Sequence, residues 1–406
     1  MTVPTILELD LTTLLIISVI AVVAPLIAEL PTRLRLPIVV LEIALGSLVG
    51  PHGLGLAHAG GVLGFLGVLG MTFLFFLAGL EIDFDRIRGR PIELATAGWL
   101  LSIWLAGGGI ALLNHAGLVQ APIMLTVALT TTAIGTLLPI LRDAGELETP
   151  FGTYVLAAGW VGELGPILAI SVVLTRDASR WSRSALMLGF VAFAGLAVIA
   201  ALRVHPPAAV ALLARTMHAS SQLPVRVCIL LLIALVTLAD SFGLDVILGA
   251  LAAGLIVGLA NRAGPDRERT LQHKLDAIGF GFLIPIFFVT SGIQFDAAAL
   301  VASPAALLRV PLFLALFLVA RGVPVLLYAR AVSRSDLLPL ALYSSTALPL
   351  VVAISELGIA TGRMLRENAA AIVGAAMLSV LIFPLLALLL RGRQRVLVRS
   401  AIDRAA

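Results

Sequence analysis

The sequence predicts an all-α membrane protein with about thirteen transmembrane helices. Of its 406 residues, 60% are hydrophobic and only 12% are charged, which is roughly half the charged share of a soluble domain. Apolar runs long enough to cross about 30 Å of hydrocarbon recur along nearly the whole chain. These runs lack the alternation of apolar and polar residues that a transmembrane barrel strand requires, so we interpret them as helices.

The predicted spans make residues 1–390 one transmembrane domain, followed by a short basic tail at 391–406. The spans lie at 9–31, 36–52, 61–82, 91–113, 118–140, 150–175, 184–202, 224–240, 243–260, 275–293, 305–330, 336–358 and 366–390. The first run has no basic region before it and is long enough to span, so it is predicted to be retained rather than cleaved as a signal. Because every hydrophilic stretch is short, we expect no nucleotide-binding domain in this chain.

The distribution of basic residues predicts the orientation in the membrane. An odd number of spans places the two termini on opposite sides, and cytoplasmic loops carry an excess of Lys and Arg. With the amino terminus outside, most of the 27 basic residues fall on the cytoplasmic side. We therefore expect a multi-pass protein of the cell (inner) membrane with a cytoplasmic tail. The net charge of +4 is spread over short loops, so no nucleic-acid partner is predicted.

Two segments indicate an inverted repeat of the kind found in secondary transporters, with two six-helix sets joined by one helix. Thr131-Thr132-Ala133 in span five recurs as Ser345-Thr346-Ala347 in span twelve, and a proline follows each. We predict two interrupted helices that cross near the midplane, where hydroxyls and free carbonyls can coordinate a cation. The alternative is that these hydroxyls only bond back to carbonyls of their own helix. The predicted break residues are Gly135, Pro139, Ser345, Thr346 and Pro349.

One acid and one base lie deep within predicted spans. Glu163 lies less than about 2 Å from the centre of its span at ~1.5 Å per residue, and Arg321 lies at a compatible depth in span eleven. Charges at the bilayer centre are costly and mark functional sites. We interpret Glu163, with Thr131 and Thr132, as the ion- and proton-binding group, and Arg321 as its compensating charge. The alternative is an ion pair that only holds two helices together.

Other chemistry has no basis in the sequence. The six histidines are scattered without ligand spacing, no Gly-rich phosphate loop follows a strand, and no nucleophile has a base near it in sequence. We expect neither an enzyme, nor a cofactor, nor a metal site beyond a transported monovalent cation.

Five segments, in the same order along the chain, resemble the monovalent cation:proton antiporters of the Kef and sodium/proton exchanger type. The resemblance implies a homodimer in which spans one to three and eight to ten form a scaffold, while spans four to six and eleven to thirteen form the ion-translocating core. It places Glu163 at the family's ion-binding aspartate and Arg321 at a basic residue of span eleven. Gly162-Glu163 departs from the usual pair of polar residues. The segments are LPIVVLEIALGSLVGPHGLGL (36–56), GVLGMTFLFFLAGLEIDFDRIR (67–88), TTAIGTLLPILRDAG (131–145), LGALAAGLIVG (248–258) and IPIFFVTSGIQFD (284–296).

The residues and the resemblance together predict a secondary antiporter that exchanges protons for Na⁺ or K⁺ by alternating access. With a single titrating acid, Glu163, exchange is expected to be one for one and electrically neutral. Two other functions are compatible with the sequence. One is a cation channel or uptake protein without proton coupling, and the other is a transport-inactive sensor or assembly subunit.

Overall fold

The computed structural model describes residues 11–29, 37–81, 87–119, 122–174, 216, 221–242, 244, 246–261, 265–295 and 304–405. Within these ranges every regular element is a helix, as the apolar runs predicted. Nine helices of the described residues are long and apolar enough to cross a membrane, and three shorter apolar helices accompany them.

Helices coincide with twelve of the thirteen predicted spans. The predicted span 184–202 lies outside the described residues, so the count of thirteen stays a prediction. In chain order the elements are α1 (Leu11–Ala28), α2 (Ile38–Val49), α3 (Gly61–Glu81), α4 (Arg90–His115), α5 (Pro122–Leu129), α6 (Ile134–Asp143), α7 (Pro150–Leu174), α8 (Leu223–Ser241), α9 (Val246–Asn261), α10 (Pro265–Ile278), π1 (Gly279–Leu283), α11 (Ile284–Gln294), α12 (Pro304–Phe317), π2 (Leu318–Gly322), a 3₁₀ segment (Val323–Tyr328), α13 (Arg334–Ser344), α14 (Pro349–Ala360) and α15 (Arg366–Ala405).

The last helix is longer than predicted. α15 continues through the basic segment at 391–405 instead of ending where the apolar run ends. Arg and Gln are good helix formers, so this polar stretch can extend a helix that the apolar run has already started.

The chain divides into two compact units. The first unit comprises residues 1–26, 42–82 and 167–294, and the second comprises 27–41, 83–166 and 295–406. In the first unit α3 and α9 meet through small residues. A side chain at Gly79 would collide with the carbonyl oxygen of Leu251, and one at Gly254 with that of Phe76. Such close backbone contact is how transmembrane helices pack without a hydrophobic driving force between them.

The second unit contains both spans that were predicted to be interrupted. α5 ends at Leu129 and α6 begins at Ile134, while α13 ends at Ser344 and α14 begins at Pro349. The second break therefore covers residues 345–348, which include the predicted Ser345 and Thr346, whereas Pro349 is the first residue of α14.

The first break lies earlier in the chain than predicted. It occupies residues 130–133, and Gly135 and Pro139 both lie inside α6. The prediction that these two residues form the break is wrong. A glycine costs a helix only about 1 kcal/mol, and membrane helices tolerate proline, so neither residue has to end the helix.

Candidate functional site

The two breaks of the second unit bond directly to each other. The backbone N–H of Ala133 donates to the carbonyl of Thr346 at 2.8 Å, and the N–H of Thr132 donates to the carbonyl of Gly162 in α7 at 2.9 Å. Buried backbone groups must be paired, and these bonds replace the intrahelical ones that each break removes. The crossing is therefore fixed by backbone contacts among α5–α6, α13–α14 and α7.

The sequence of α7 explains why the Gly162 carbonyl can accept this bond. Pro166 lies four residues later inside the same helix, and proline has no N–H to close the usual bond to residue i−4. The carbonyl of Gly162 is left for the N–H of Thr132. One proline in α7 thus creates the acceptor that holds the first break.

Ser379 of α15 holds the second break. Its hydroxyl oxygen accepts the N–H of Ala347 at 3.0 Å, and its proton can be donated to the Ala347 carbonyl at 3.0 Å or to the Ala376 carbonyl at 2.8 Å. Ser379 is fully buried. A single hydroxyl therefore pairs the N–H of the residue that follows Thr346 and lies within bonding distance of its carbonyl.

Arg321 lies in π2, and the 3₁₀ segment that contains Pro324 follows π2 directly. A π-turn inside a membrane helix often marks a functional site. The side chain is only 4% exposed, so a permanently charged guanidinium lies within the second unit, as its position in the apolar run predicted.

The guanidinium of Arg321 binds hydroxyls and carbonyls from four segments. Among the residues that the structure describes, Nε and Nη2 donate to the hydroxyl of Thr132 at 3.0 and 2.8 Å, and Nε also reaches the Ser344 carbonyl at 3.4 Å. Nη1 donates to Ser102 of α4 at 3.3 Å, and Nη2 to the Ala158 carbonyl of α7 at 2.9 Å. Arg321 therefore links α4, α7 and both breaks.

Glycine at position 162 provides the space that this guanidinium occupies. A Cβ there would collide with Nη2 of Arg321 and lie 2.6 Å from the hydroxyl oxygen of Thr132. The departure of Gly162-Glu163 from the pattern of two polar residues thus has a steric consequence. A larger residue at 162 would displace the guanidinium from Thr132.

Glu163 is buried in the same helix, with 6% of its surface exposed. Four residues earlier, a Cβ at Gly159 would contact Ile134, the first residue of α6. Residues i and i+4 share one helix face, so Glu163 lies on the same face of α7 as Gly159.

The predicted hydroxyls fall into two classes. Thr131, Ser345 and Thr346 donate to carbonyls of their own helices, those of Ala128, Ala341 and Leu342, at 2.7 to 3.0 Å. Thr132 instead donates to the Ser344 carbonyl in the other interrupted span at 2.5 Å. Local back-bonding, the alternative weighed from the sequence, describes the first three, and only Thr132 connects the two spans through its side chain.

A comparison with known protein families agrees with this architecture. The transmembrane sodium/hydrogen exchanger family matches residues 18–388, which is nearly the whole chain. The chain belongs to this family. It is thus a multi-pass member of a family of transporters rather than of enzymes, and the resemblance seen in the sequence is confirmed.

Individual relatives of this exchanger-family chain cover it to different extents. It is 28% identical over 368 residues to "Putative Na(+)/H(+) antiporter YjbQ" of Bacillus subtilis, a match that covers 85% of the chain and 57% of the relative. It is 28% identical over 316 residues to "Cation/H(+) antiporter 19" of Arabidopsis thaliana, covering 71% of the chain and 38% of the relative. The chain therefore spans less than two thirds of the length of either relative.

A solved structure shares the fold of the exchanger-family chain. The sodium proton antiporter MjNhaP1 from Methanocaldococcus jannaschii is 17% identical and superposes with a TM-score of 0.63 over 94% of this chain and 96% of that one. The all-helical antiporter-like fold predicted from the sequence is confirmed.

Sequence reasoning missed three polar contacts of this exchanger-family site. Ser102 and Ser379 are isolated serines within apolar helices, and the Ala158 carbonyl leaves no trace in the sequence. Ser102 also donates to the Gly98 carbonyl of its own helix at 2.9 Å, which is the default behaviour of such a serine. Only the five N–H donors of the Arg321 guanidinium, which need several acceptors when buried, indicated that further partners exist.

The described residues of this exchanger-family chain contain no group of three His, Cys, Asp or Glu side chains that could hold a metal ion. The site consists of one carboxylate, one guanidinium and neutral oxygens.

Proposed function

We propose that this chain is a secondary antiporter that exchanges protons for a monovalent cation, Na⁺ or K⁺, by alternating access. Membership of the sodium/hydrogen exchanger family supports the proposal, as do the names of relatives such as the Na(+)/H(+) antiporter of Enterococcus hirae, 24% identical over 291 residues. No enzymatic reaction and no cofactor are part of it.

One observation carries the proposal. A carboxylate and a guanidinium, on Glu163 and Arg321, are both more than nine-tenths buried in the unit that holds the two interrupted helices. Each charge costs about 2.5–3.5 kcal/mol at the centre of a membrane. Holding helices together does not explain why the chain buries these two charges, because buried ion pairs add little net stability.

We assign the titrating role to Glu163 and the compensating role to Arg321. Proton and cation compete for the carboxylate, while the guanidinium stays protonated at any accessible pH. When Arg321 is bound to Thr132, the hydroxyl oxygen of Thr132 is fully used. Among the described residues, the Thr131 hydroxyl donates to the Ala128 carbonyl. Its oxygen keeps lone pairs, and we assign it, together with Glu163, to the cation.

We further propose that the second unit is the ion-translocating core and the first unit is the scaffold of a homodimer. The separation of residues 83–166 and 295–406 from most of the remaining chain is compatible with this division. The amino terminus is placed outside and the basic tail in the cytoplasm of a cell (inner) membrane, on the charge distribution of the loops.

The test is cation-driven proton flux in proteoliposomes for the wild type, Glu163→Gln and Glu93→Gln. Glu93 is the matched control because its side chain is 66% exposed in a pair with Arg90. We expect Glu163→Gln to abolish exchange and Glu93→Gln to retain it. Exchange by Glu163→Gln at the wild-type rate would contradict the assignment, and net charge movement would contradict one-for-one exchange.

Two other results would contradict the proposal and favour one of the alternative functions. A sustained cation current without a proton gradient would indicate a channel or uptake protein. No flux, together with no cation-dependent thermal shift of the purified protein, would indicate a sensor or assembly subunit.

A further inference from the structure

An ionic cluster lies away from the crossing in the second unit. The guanidinium of Arg391 in α15 donates from Nε and Nη2 to both carboxylate oxygens of Glu146, at 3.0 and 2.6 Å. Its remaining nitrogen, Nη1, pairs with Asp336. A guanidinium that binds one carboxylate through two parallel bonds is fixed in angle as well as in distance.

This cluster is well shielded from solvent. The side chains of Arg391, Glu146 and Asp336 are 15%, 2% and 17% exposed. Thr149 adds a hydroxyl bond to Glu146 at 3.3 Å. Neither surface nor buried ion pairs need add net stability, so what this cluster contributes is the fixed geometry of its bidentate pair.

The cluster joins the far ends of both interrupted helices. α6 runs from the first break to Asp143, three residues before Glu146, and α13 runs from Asp336 in its first turn to the second break. Arg391 therefore ties together the two half-helices at the ends opposite to their breaks.

A chain of contacts leads from Arg391 back to the crossing. Its guanidinium lies 4.0 Å from the ring centroid of Phe151, and that ring packs against Tyr343 at 6.2 Å. Tyr343 is fully buried and immediately precedes Ser344, whose carbonyl accepts bonds from Thr132 and Arg321. A displacement of the Arg391 side chain can thus be transmitted to Ser344 through the rings of Phe151 and Tyr343.

We propose that Arg391 is a positioning residue for cation exchange: it fixes α6 and α13 so that Thr132 and the Ser344 carbonyl keep their places at the crossing. Its effect on exchange rests on the proposed antiport function, whereas its effect on the geometry of the crossing does not. The hydrogen bonds of Arg391 in the described part of the chain go to Glu146 and Asp336, which lie at the ends of the half-helices opposite to the crossing.

The test uses Arg391→Lys, which keeps the charge but removes the bidentate, planar geometry. Arg309→Lys is the matched control, because Arg309 pairs with Glu367 and Asn368 at 3.2 Å in the same unit. Asp336→Asn is a milder second variant that leaves the Glu146 pair intact. Hydrogen exchange of the Thr132 and Ala133 amides reports on the crossing without any transport measurement.

We expect these two amides to exchange about tenfold faster in Arg391→Lys, with a smaller change in Asp336→Asn and none in Arg309→Lys. In proteoliposomes of phosphatidylethanolamine and phosphatidylglycerol, the half-saturating Na⁺ or K⁺ concentration should rise at least about threefold in Arg391→Lys only. A shift in half-saturation without an equal loss of maximal rate is not expected from a purely structural role.

Three results would overturn the inference or separate it from the function. Wild-type amide exchange in Arg391→Lys would overturn it, as would equal effects of Arg391→Lys and Arg309→Lys. If the wild type carries no cation at all, the antiport proposal fails, and the amide measurement still decides whether Arg391 positions the crossing.

Discussion

Arg321 donates two hydrogen bonds to the hydroxyl oxygen of Thr132, and the proton of that hydroxyl is donated to the Ser344 carbonyl at 2.5 Å. A hydroxyl has one proton and two lone pairs, so all its bonding capacity is used. In this conformation Thr132 is therefore the partner of Arg321 and the link between the two interrupted spans, and it has no lone pair left for a cation.

Thr132→Val should destabilise the protein by about 1.5–3 kcal/mol, because it removes the acceptor of two charged donors in a buried site. Valine keeps the shape of the side chain, so the loss reports the hydroxyl rather than a cavity. Thr132→Ser keeps the hydroxyl and should lose much less. The free energy of unfolding in mixed detergent micelles measures both.

Thr131→Val is the internal control for this prediction. Within the described ranges the Thr131 hydroxyl bonds only to the Ala128 carbonyl one turn earlier, so its removal should cost less than about 1 kcal/mol. Equal losses at positions 131 and 132 would contradict the assignment of Thr132 as the link between the spans.

Arg321→Lys should lower the free energy of unfolding by about 2 kcal/mol or more, although the charge is kept. The guanidinium reaches Thr132, Ser102 and two carbonyls through a planar fork that an ammonium group cannot reproduce. Arg330→Lys, at an exposed position, should change stability by no more than about 0.5 kcal/mol. Similar stability of the two variants would show that only the charge of Arg321 matters.

The burial of the charged pair and the existence of two breaks were predictable, because both follow from local properties of the sequence. An acid at the centre of an apolar run has few alternatives to burial, so Glu163 and Arg321 stood out without any structure. Likewise, two hydroxyl runs that are each followed by a proline mark weak points in a helix, and both spans are indeed interrupted there.

The exact position of the first break and the partners of Arg321 were not predictable, because both depend on contacts between distant segments. Residues 130–133 leave the helix where their backbone groups find the carbonyls of Gly162 and Thr346. Gly135 and Pro139 offered the stronger local signal and are nevertheless helical. Ser102 looks like any serine that bonds back within its own helix.

Ser379→Ala should destabilise the protein by about 1–3 kcal/mol, since it leaves the buried N–H and carbonyl of Ala347 without their hydroxyl partner. Ser18→Ala is the control, because that hydroxyl is exposed and donates to the Leu14 carbonyl of its own helix. It should change stability by less than about 0.5 kcal/mol. Thermal unfolding of the two variants side by side is the measurement, and equal midpoints would mean that the second break does not depend on Ser379.

Gly162→Ala tests whether the guanidinium of Arg321 needs the space beside α7. Alanine normally stabilises a helix by about 0.5–1 kcal/mol relative to glycine, and Gly108→Ala in α4, where a Cβ meets open space, should show that gain. At Gly162 the same methyl group would press on Arg321 and Thr132, so a net loss of about 1–3 kcal/mol is expected from overpacking. Both variants replace a helical glycine with alanine. The difference between their unfolding free energies therefore measures the contact of the new methyl group at position 162 with Arg321 and Thr132. Stabilisation by both variants would mean that Arg321 can leave Thr132 without cost, and the compensating role assigned to its present position would have to be given up.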